Sequence, residues 1–186
     1  MAARYSERVS HAKPLPDIWL ISDQRNDAVL ESSLRRMPRG SGFIYRHCHL
    51  KDRERWQRFM QLRRVAKACG HIVILSDSAL TATEWRADGI YGAPRSLWPR
   101  RRGLLHLATA HDLPEIGLAN RLKADAILLS PVFPTQSHPG EAVLGPTRFR
   151  MLAKHARSPV IALGGLDADR SQSLKWPRWA AIDGLS

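Results

Sequence analysis

Cysteine is scarce. Cys48 and Cys69 are the only two in 186 residues. They lack metal-type spacing and read as reduced thiols, which excludes a disulfide scaffold. The triplet His47-Cys48-His49 puts two histidines on one side of a strand end, but no second cluster completes a zinc site. No apolar run approaches the length of a membrane span, and the N-terminus lacks the apolar core of a signal peptide. A cytoplasmic protein with no membrane partner is therefore expected. Acidic residues are few: 17 Asp and Glu stand against 29 Lys and Arg, a net charge of +12. The arginines crowd at Arg35, Arg36, Arg39, Arg53, Arg55, Arg58, Arg63 and Arg64, then at Arg95 and 100–102. Such a surface attracts phosphate groups, or is simply solvated. No RNP box or zinc finger accompanies it, so a nucleic acid is not the expected partner.

What is present is a rhythm of apolar, β-prone runs and helical stretches. The runs fall at 18–22, 43–46, 72–76, 88–91, 104–109, 124–129, 159–163 and 179–182. Between them, Asn26, Asp52, Asp112 and Asp167 stand where helix caps are expected, and Pro146 suits a first turn. The longest helix, 53–69, carries the apolar stripe Trp56, Phe59, Met60, Leu62, Val65 and Ala66, with Gly70 as its stop. Strand and helix in alternation argue for a parallel α/β fold. The expected architecture is a compact TIM-type (β/α)8 barrel lacking the last helix: an N-terminal arm, 1–16, and one domain, 17–186. Without that helix, the outward residues of the first and last strands would meet water. The arm or a homodimer is expected to cover them.

Two strand ends carry the chemistry. The run Ile127-Leu-Leu-Ser-Pro-Val-Phe-Pro-Thr-Gln-Ser-His-Pro-Gly140 leaves its strand into a loop stiffened by Pro131 and Pro134, which presents Thr135, Ser137 and His138. The strand at 159–163 ends in Gly164-Gly165, where bare backbone N–H groups suit a phosphate. Paired loops of this kind place a site at the strand C-termini.

The segment Pro131-Val-Phe-Pro-Thr135 with the later Ala162-Leu-Gly-Gly-Leu166 resembles the thiamine phosphate synthase and thiazole tautomerase family. Ile18-Trp-Leu-Ile-Ser-Asp23, Ile72-Val-Ile-Leu-Ser-Asp77 and Ala87-Asp-Gly-Ile-Tyr91 agree in order and spacing. The resemblance implies a role in thiamine biosynthesis and a phosphorylated small-molecule ligand. The family's synthase joins a pyrimidine pyrophosphate to a thiazole phosphate with Mg²⁺. Of its second-strand pattern Gln-x-Arg-x-Lys, only Arg46 remains, between Ile44 and Cys48. Asp77 matches one metal carboxylate and otherwise reads as a helix cap. The second is missing from 93–97, where Arg95 would repel a cation. Thr135, Ser137 and His138 stand for the sixth-strand pattern Thr-x-Thr-Lys, and Gly164-Gly165 for the phosphate site. Asp183 falls where the family has a Ser and would oppose a phosphate. Ser186 reaches that place only if the strand runs longer. In the tautomerase branch a His after the fifth strand moves a proton; here that residue is His111, next to Asp112, or else a plain loop His. A synthase-like enzyme, a tautomerase-like enzyme and a non-catalytic binder of a phosphorylated ligand all remain open on these residues.

Overall fold

The computed structural model describes residues 14–136, 140 and 142–186. Eight parallel strands close in sequence order, β1 through β8, into a barrel. They are β1 (Ile18–Ile21), β2 (Gly42–Tyr45), β3 (Ile72–Leu75), β4 (Gly89–Gly92), β5 (Leu105–Ala110), β6 (Ala126–Leu129), β7 (Val160–Leu163) and β8 (Trp179–Ala181). The ring closes where Ile18 and Trp19 of β1 pair with Trp179 and Ala180 of β8. The intervening helices are α1 (Leu30–Arg36), α2 (Asp52–Ala68), α3 (Ala79–Glu84), α4 (Leu113–Arg121), α5 (Gly145–Ala153) and α6 (Ala168–Leu174). None of the described helices is long and apolar enough to cross a membrane.

Period-two alternation sorts the strand residues into two cores. Trp19, Ile21, Ile44, Ile74, Leu107, Leu128, Ile161 and Ala180 fill the barrel interior. Leu20, Phe43, Tyr45, Val73, Leu75, Ile127, Leu129 and Ala162 face the helices. Trp19 is the largest inner side chain: a Cβ on Gly42 would lie 2.0 Å from its ring, so only glycine fits opposite it. Its indole N–H donates to the Pro16 carbonyl at 2.8 Å, and Leu15 packs on the same inner cluster.

Three local expectations change. Asp23, not Asn26, caps the helical segment after β1, a 3-10 turn Gln24–Val29 that runs into α1. Asn26 is buried instead, and its amide donates to the carbonyls of Ile21 (3.1 Å) and Ile182 (3.0 Å) and to Ser186 Oγ (3.1 Å). Lys51 takes the cap position of α2, and Asp52 is its first residue. The buried stripe of α2 is Arg55, Phe59, Leu62 and Ala66, whereas Trp56 is 45 % exposed. Spacings of four, three and four residues put those four on one helical face. The guanidinium of Arg55 is tolerated there because it lies over the rings of Tyr45 (5.9 Å) and Trp85 (5.5 Å) and each of its three nitrogens is hydrogen-bonded.

Most of the β1–β8 seam is covered, although Ile18 is only half-buried. Leu20, Trp179 and Ala181 are all buried in the outer core, in company with Leu30, Leu34 and Leu174. A 3-10 turn, Asp183–Leu185, follows β8 and lays Leu185 against that core. Most of the arm expected to cover this seam, residues 1–13, lies outside the described residues. The basic surface is also less free than its composition suggests. Arg58 bridges Asp27 and Glu31, Arg55 pairs with Asp77, Lys67 with Asp88, and Arg100 with Asp125.

Candidate active site

The inward register of the strands continues past their C-terminal ends into a mouth. There the side chains change from apolar to polar. Arg46 follows Ile44, Ser76 follows Ile74, Tyr91 is the last but one residue of β4, Thr109 and His111 follow Leu107, and Ser130 follows Leu128. These residues, with Thr135 and Gly164, line a cavity of about 560 Å³. A second cavity of about 310 Å³ adjoins it, lined by Thr135, Gly164, Gly165, Gly184, Asp167 and Arg170 among others. Thr135, Leu163, Gly164 and Ile182 border both, so the two are lobes of one site.

The smaller lobe is bounded by glycine backbone. Gly164 and Gly165 have φ of +99° and +62°, and the loop after β6 packs tightly on them. Phe133 N–H donates to Gly164 O at 3.0 Å, and Val132 N–H to Leu163 O at 2.9 Å. Arg170 stands on the rim: it donates to Gly165 O at 2.6 Å and lies 5.6 Å over the Phe133 ring. Asp183 does not confront this lobe as a bare charge, because Arg25 pairs with it at 3.2 Å. Ser186 is committed elsewhere, to Ile182 O at 2.6 Å and to Asn26. Ser137 and His138 lie outside the described residues.

In the larger lobe, the Arg46 guanidinium hydrogen-bonds to no described residue; burial would raise the pKa of nearby Asp23, but Arg25, with a smaller share from the charge of Arg46, holds it below the usual carboxylate range. Burial pushes the Tyr91 hydroxyl above its ordinary pKa, so at neutral pH it remains a donor. His111 is half exposed. Its Nδ1 is 2.9 Å from Glu115 Oε2, and its own backbone N–H donates to the same oxygen at 2.7 Å. Nδ1 is thereby engaged and Nε2 is left for a ligand. Asp112 is not the partner; it caps α4 by accepting from Glu115 N–H at 2.9 Å. Ile44, which takes the place of a polar family residue, is sealed in the inner core, and Cys48 is exposed at the mouth.

Asp77 serves neither as a cap nor as an open ligand. Ser78 caps α3, and Asp77 pairs with Arg55. Burial alone would raise its pKa, but the Arg55 bond and the Ser78 N–H (2.6 Å) outweigh that and hold it low. Both carboxylate oxygens are thus taken. The 3-10 turn Pro94–Leu97 after β4 offers no acid, and no group of three His, Cys, Asp or Glu side chains among the described residues could hold an ion. These residues do not fit a Mg²⁺ site: a divalent ion at Asp77 would sit against a buried guanidinium. His47 is buried, and its exposed neighbour His49 shares no ligand set with it.

Sequence reasoning missed three residues at or behind the mouth. Glu115 was visible as the i+4 neighbour of His111 on the first turn of a helix. Tyr91 follows from the alternation that buries Ile90 on the other face. Arg55 carried no signal, since a charged residue is not expected on an apolar stripe.

The chain is similar to several known proteins. The "Putative thiamine-phosphate synthase 2" of Aquifex aeolicus is 27% identical over 82% of this chain and 86% of its own. The thiamine-phosphate synthase of Chloroflexus aurantiacus is 30% identical over 81% of this chain and 72% of its own. Among solved structures, a thiamine phosphate pyrophosphorylase from Pyrococcus furiosus superposes with a TM-score of 0.73 at 21% identity, over 89% of this chain and 85% of that one, which shows the shared fold. The family model described as thiamine monophosphate synthase matches residues 18–182, and the chain belongs to that family.

Proposed function

We propose that the chain is a synthase-like protein of thiamine biosynthesis that takes a thiazole phosphate or thiamine phosphate-like ligand across both lobes of the mouth. The observation that carries this reading is their continuity: a glycine-walled lobe opens through Thr135 and Gly164 into a larger chamber lined by Arg46, Tyr91 and His111. The phosphate goes to the backbone N–H side of Gly164 and Gly165, whose missing Cβ atoms let the loop after β6 pack close behind them. The ring occupies the larger chamber, and Arg46 answers charge or polarity at its far end. Mg²⁺-assisted pyrophosphate departure has no support among these residues, so no step is assigned to it.

The pairing of His111 with Glu115 favours a second reading for the chemistry, proton transfer on the bound azole. A fixed Nδ1–H···carboxylate contact leaves Nε2 as the base, and the resulting imidazolium is stabilised by Glu115. Isothermal titration with thiazole phosphate, thiamine phosphate and inorganic pyrophosphate tests the binding reading. The first two should bind equally well in Mg²⁺ and in EDTA, and more tightly than pyrophosphate. Absence of binding by both phosphorylated azoles refutes it. Solvent deuterium uptake by bound thiazole phosphate, lost in His111→Asn with affinity kept, separates a catalyst from a passive binder.

A further inference from the structure

Arg46 is held in an unusual way. The sheet ladder of β2 ends just before it, with Ser22 N–H donating to Ile44 O and Ser76 N–H to Tyr45 O, both at 2.9 Å. Side chains take over from there. The Arg46 N–H donates to Ser22 Oγ at 2.8 Å, and its carbonyl accepts from Arg55 Nε and Nη2, both at 3.2 Å. The next residue, His47, has φ of +34°, a conformation that a non-glycine residue keeps only where its surroundings over-determine it. We propose that Ser22, His47 and Asp27 form a positioning relay for Arg46, with the Arg55–Asp77 pair as a second clamp on the same residue. This rests on the reading that Arg46 meets the ligand.

The direction of every proton in the relay follows from its partners. Burial would raise the pKa of Asp27, but bonds from Arg58 and His47 outweigh that, so it is ionised and only accepts. His47 Nε2, 2.8 Å away, must therefore donate to it. Burial, with the nearby charges of His49 and Arg58, lowers the pKa of His47 more than Asp27 raises it, so the ring is neutral at neutral pH. Its Nδ1 then carries no proton and accepts from the Ser22 hydroxyl at 2.8 Å. The Ser22 oxygen is left to accept from Arg46. One arrangement satisfies the whole chain.

The ring is fixed as firmly as its bonds. It stacks on Tyr45 with centroids 4.7 Å apart and planes 11° apart, and His49 lies 5.1 Å away on its own loop. Arg58, reaching from α2, anchors Asp27 through Nε at 2.8 Å while also holding Glu31. Elements β1, β2, α1 and α2 are thus all fastened to the backbone of one mouth residue. A cation preset in this manner meets its ligand without first being ordered. The second clamp gives Asp77 a role that needs no metal: it steadies Arg55, which holds the Arg46 carbonyl and Ser76 O (2.9 Å) together.

A double-mutant cycle read by calorimetry with thiazole phosphate tests the relay. Arg46→Ala should weaken binding roughly tenfold or more, the loss of a charge-assisted contact. Ser22→Ala, and His47→Asn, which keeps a residue tolerant of positive φ, should each weaken it on the order of fivefold through lost preorganisation. Ser22→Ala in the Arg46→Ala background should add nothing, and ¹⁵N-histidine NMR should report the Nε2–H tautomer of His47, which Asp27 fixes, in the wild type and in Ser22→Ala alike. If Arg46→Ala leaves affinity unchanged, the ligand reading of Arg46 falls and the relay with it. If Arg46→Ala weakens binding but Ser22→Ala and His47→Asn do not, the relay alone is overturned. Additive losses in the double variant would likewise overturn it, reducing Ser22 to a stabilising residue.

Discussion

Gly165→Ala should harm stability and phosphate-ligand binding together. The sequence alone suggests that a bulkier residue here would block the ligand and spare the fold; the packing says otherwise. The residue has φ of +62°, and a Cβ would lie 2.3 Å from Pro134 O and 2.9 Å from Phe133 Cβ. Left-handed backbone costs an alanine about 1–2 kcal/mol. Forcing apart a close-packed contact adds about 1–3 kcal/mol. Reduced freedom of the unfolded chain returns about 0.4–1 kcal/mol. The net loss is about 1–4.6 kcal/mol, which lowers the melting temperature of a chain this size by about 2–18 °C. Thermal and urea unfolding measure it. Gly103→Ala isolates the backbone share, since φ there is +85° with nothing within 4 Å of the added Cβ. Gly117→Ala, on α4 with only the Arg121 side chain at 3.7 Å, should stabilise by about 0.5–1 kcal/mol. The reasoning fails if Gly165→Ala melts within about 2 °C of wild type, or melts no lower than Gly103→Ala.

Phe59→Ala should cost about 3–5 kcal/mol because Phe59 is fully buried, while Trp56→Ala on the same helix should cost under about 0.5 kcal/mol; denaturant midpoints compare them. Asn26→Ala should cost about 1–3 kcal/mol by leaving the Ile21 and Ile182 carbonyls short of a donor, seen as a lower midpoint and faster amide exchange in β1 and β8. Asp27, Glu31 and Asp77 all have folded pKa values below their unfolded ones. Their contribution is present above the unfolded carboxylate range and is lost as pH falls through the folded values, so melting temperature should drop steadily below about pH 4. Asp77→Asn should flatten part of that acid limb.

The strand rhythm was legible because parallel barrel strands are buried on both faces and read as continuous apolar runs. Caps at Asp112 and Asp167 were legible for a local reason: each side chain answers an N–H three residues on. Asn26 shows the limit of that logic. It has a capping residue's chemistry, but its partners include Ile182 and Ser186 at the other end of the chain. Trp56 was misread because a stripe of large apolar residues cannot reveal that the next position toward the N-terminus holds the buried arginine. In the site, Arg46, His111, Thr135, Gly164 and Gly165 meet at one mouth. Their supports, Glu115 apart, come from distant segments and left no mark on the local pattern.

The Arg55–Asp77 pair bears on how this barrel could be altered. Converting the mouth to a divalent-cation site requires an acid on the turn after β4 and the release of Asp77 from its guanidinium. Neither change helps alone. A new carboxylate at residue 95 would still lack a second acid, because both oxygens of Asp77 are engaged. Replacing Arg55 first would leave Asp77 uncompensated and the carbonyls of Arg46 and Ser76 without their donor. Neither single step yields a cation site, so the two substitutions act only as a pair, and a library that samples one position at a time will not find them.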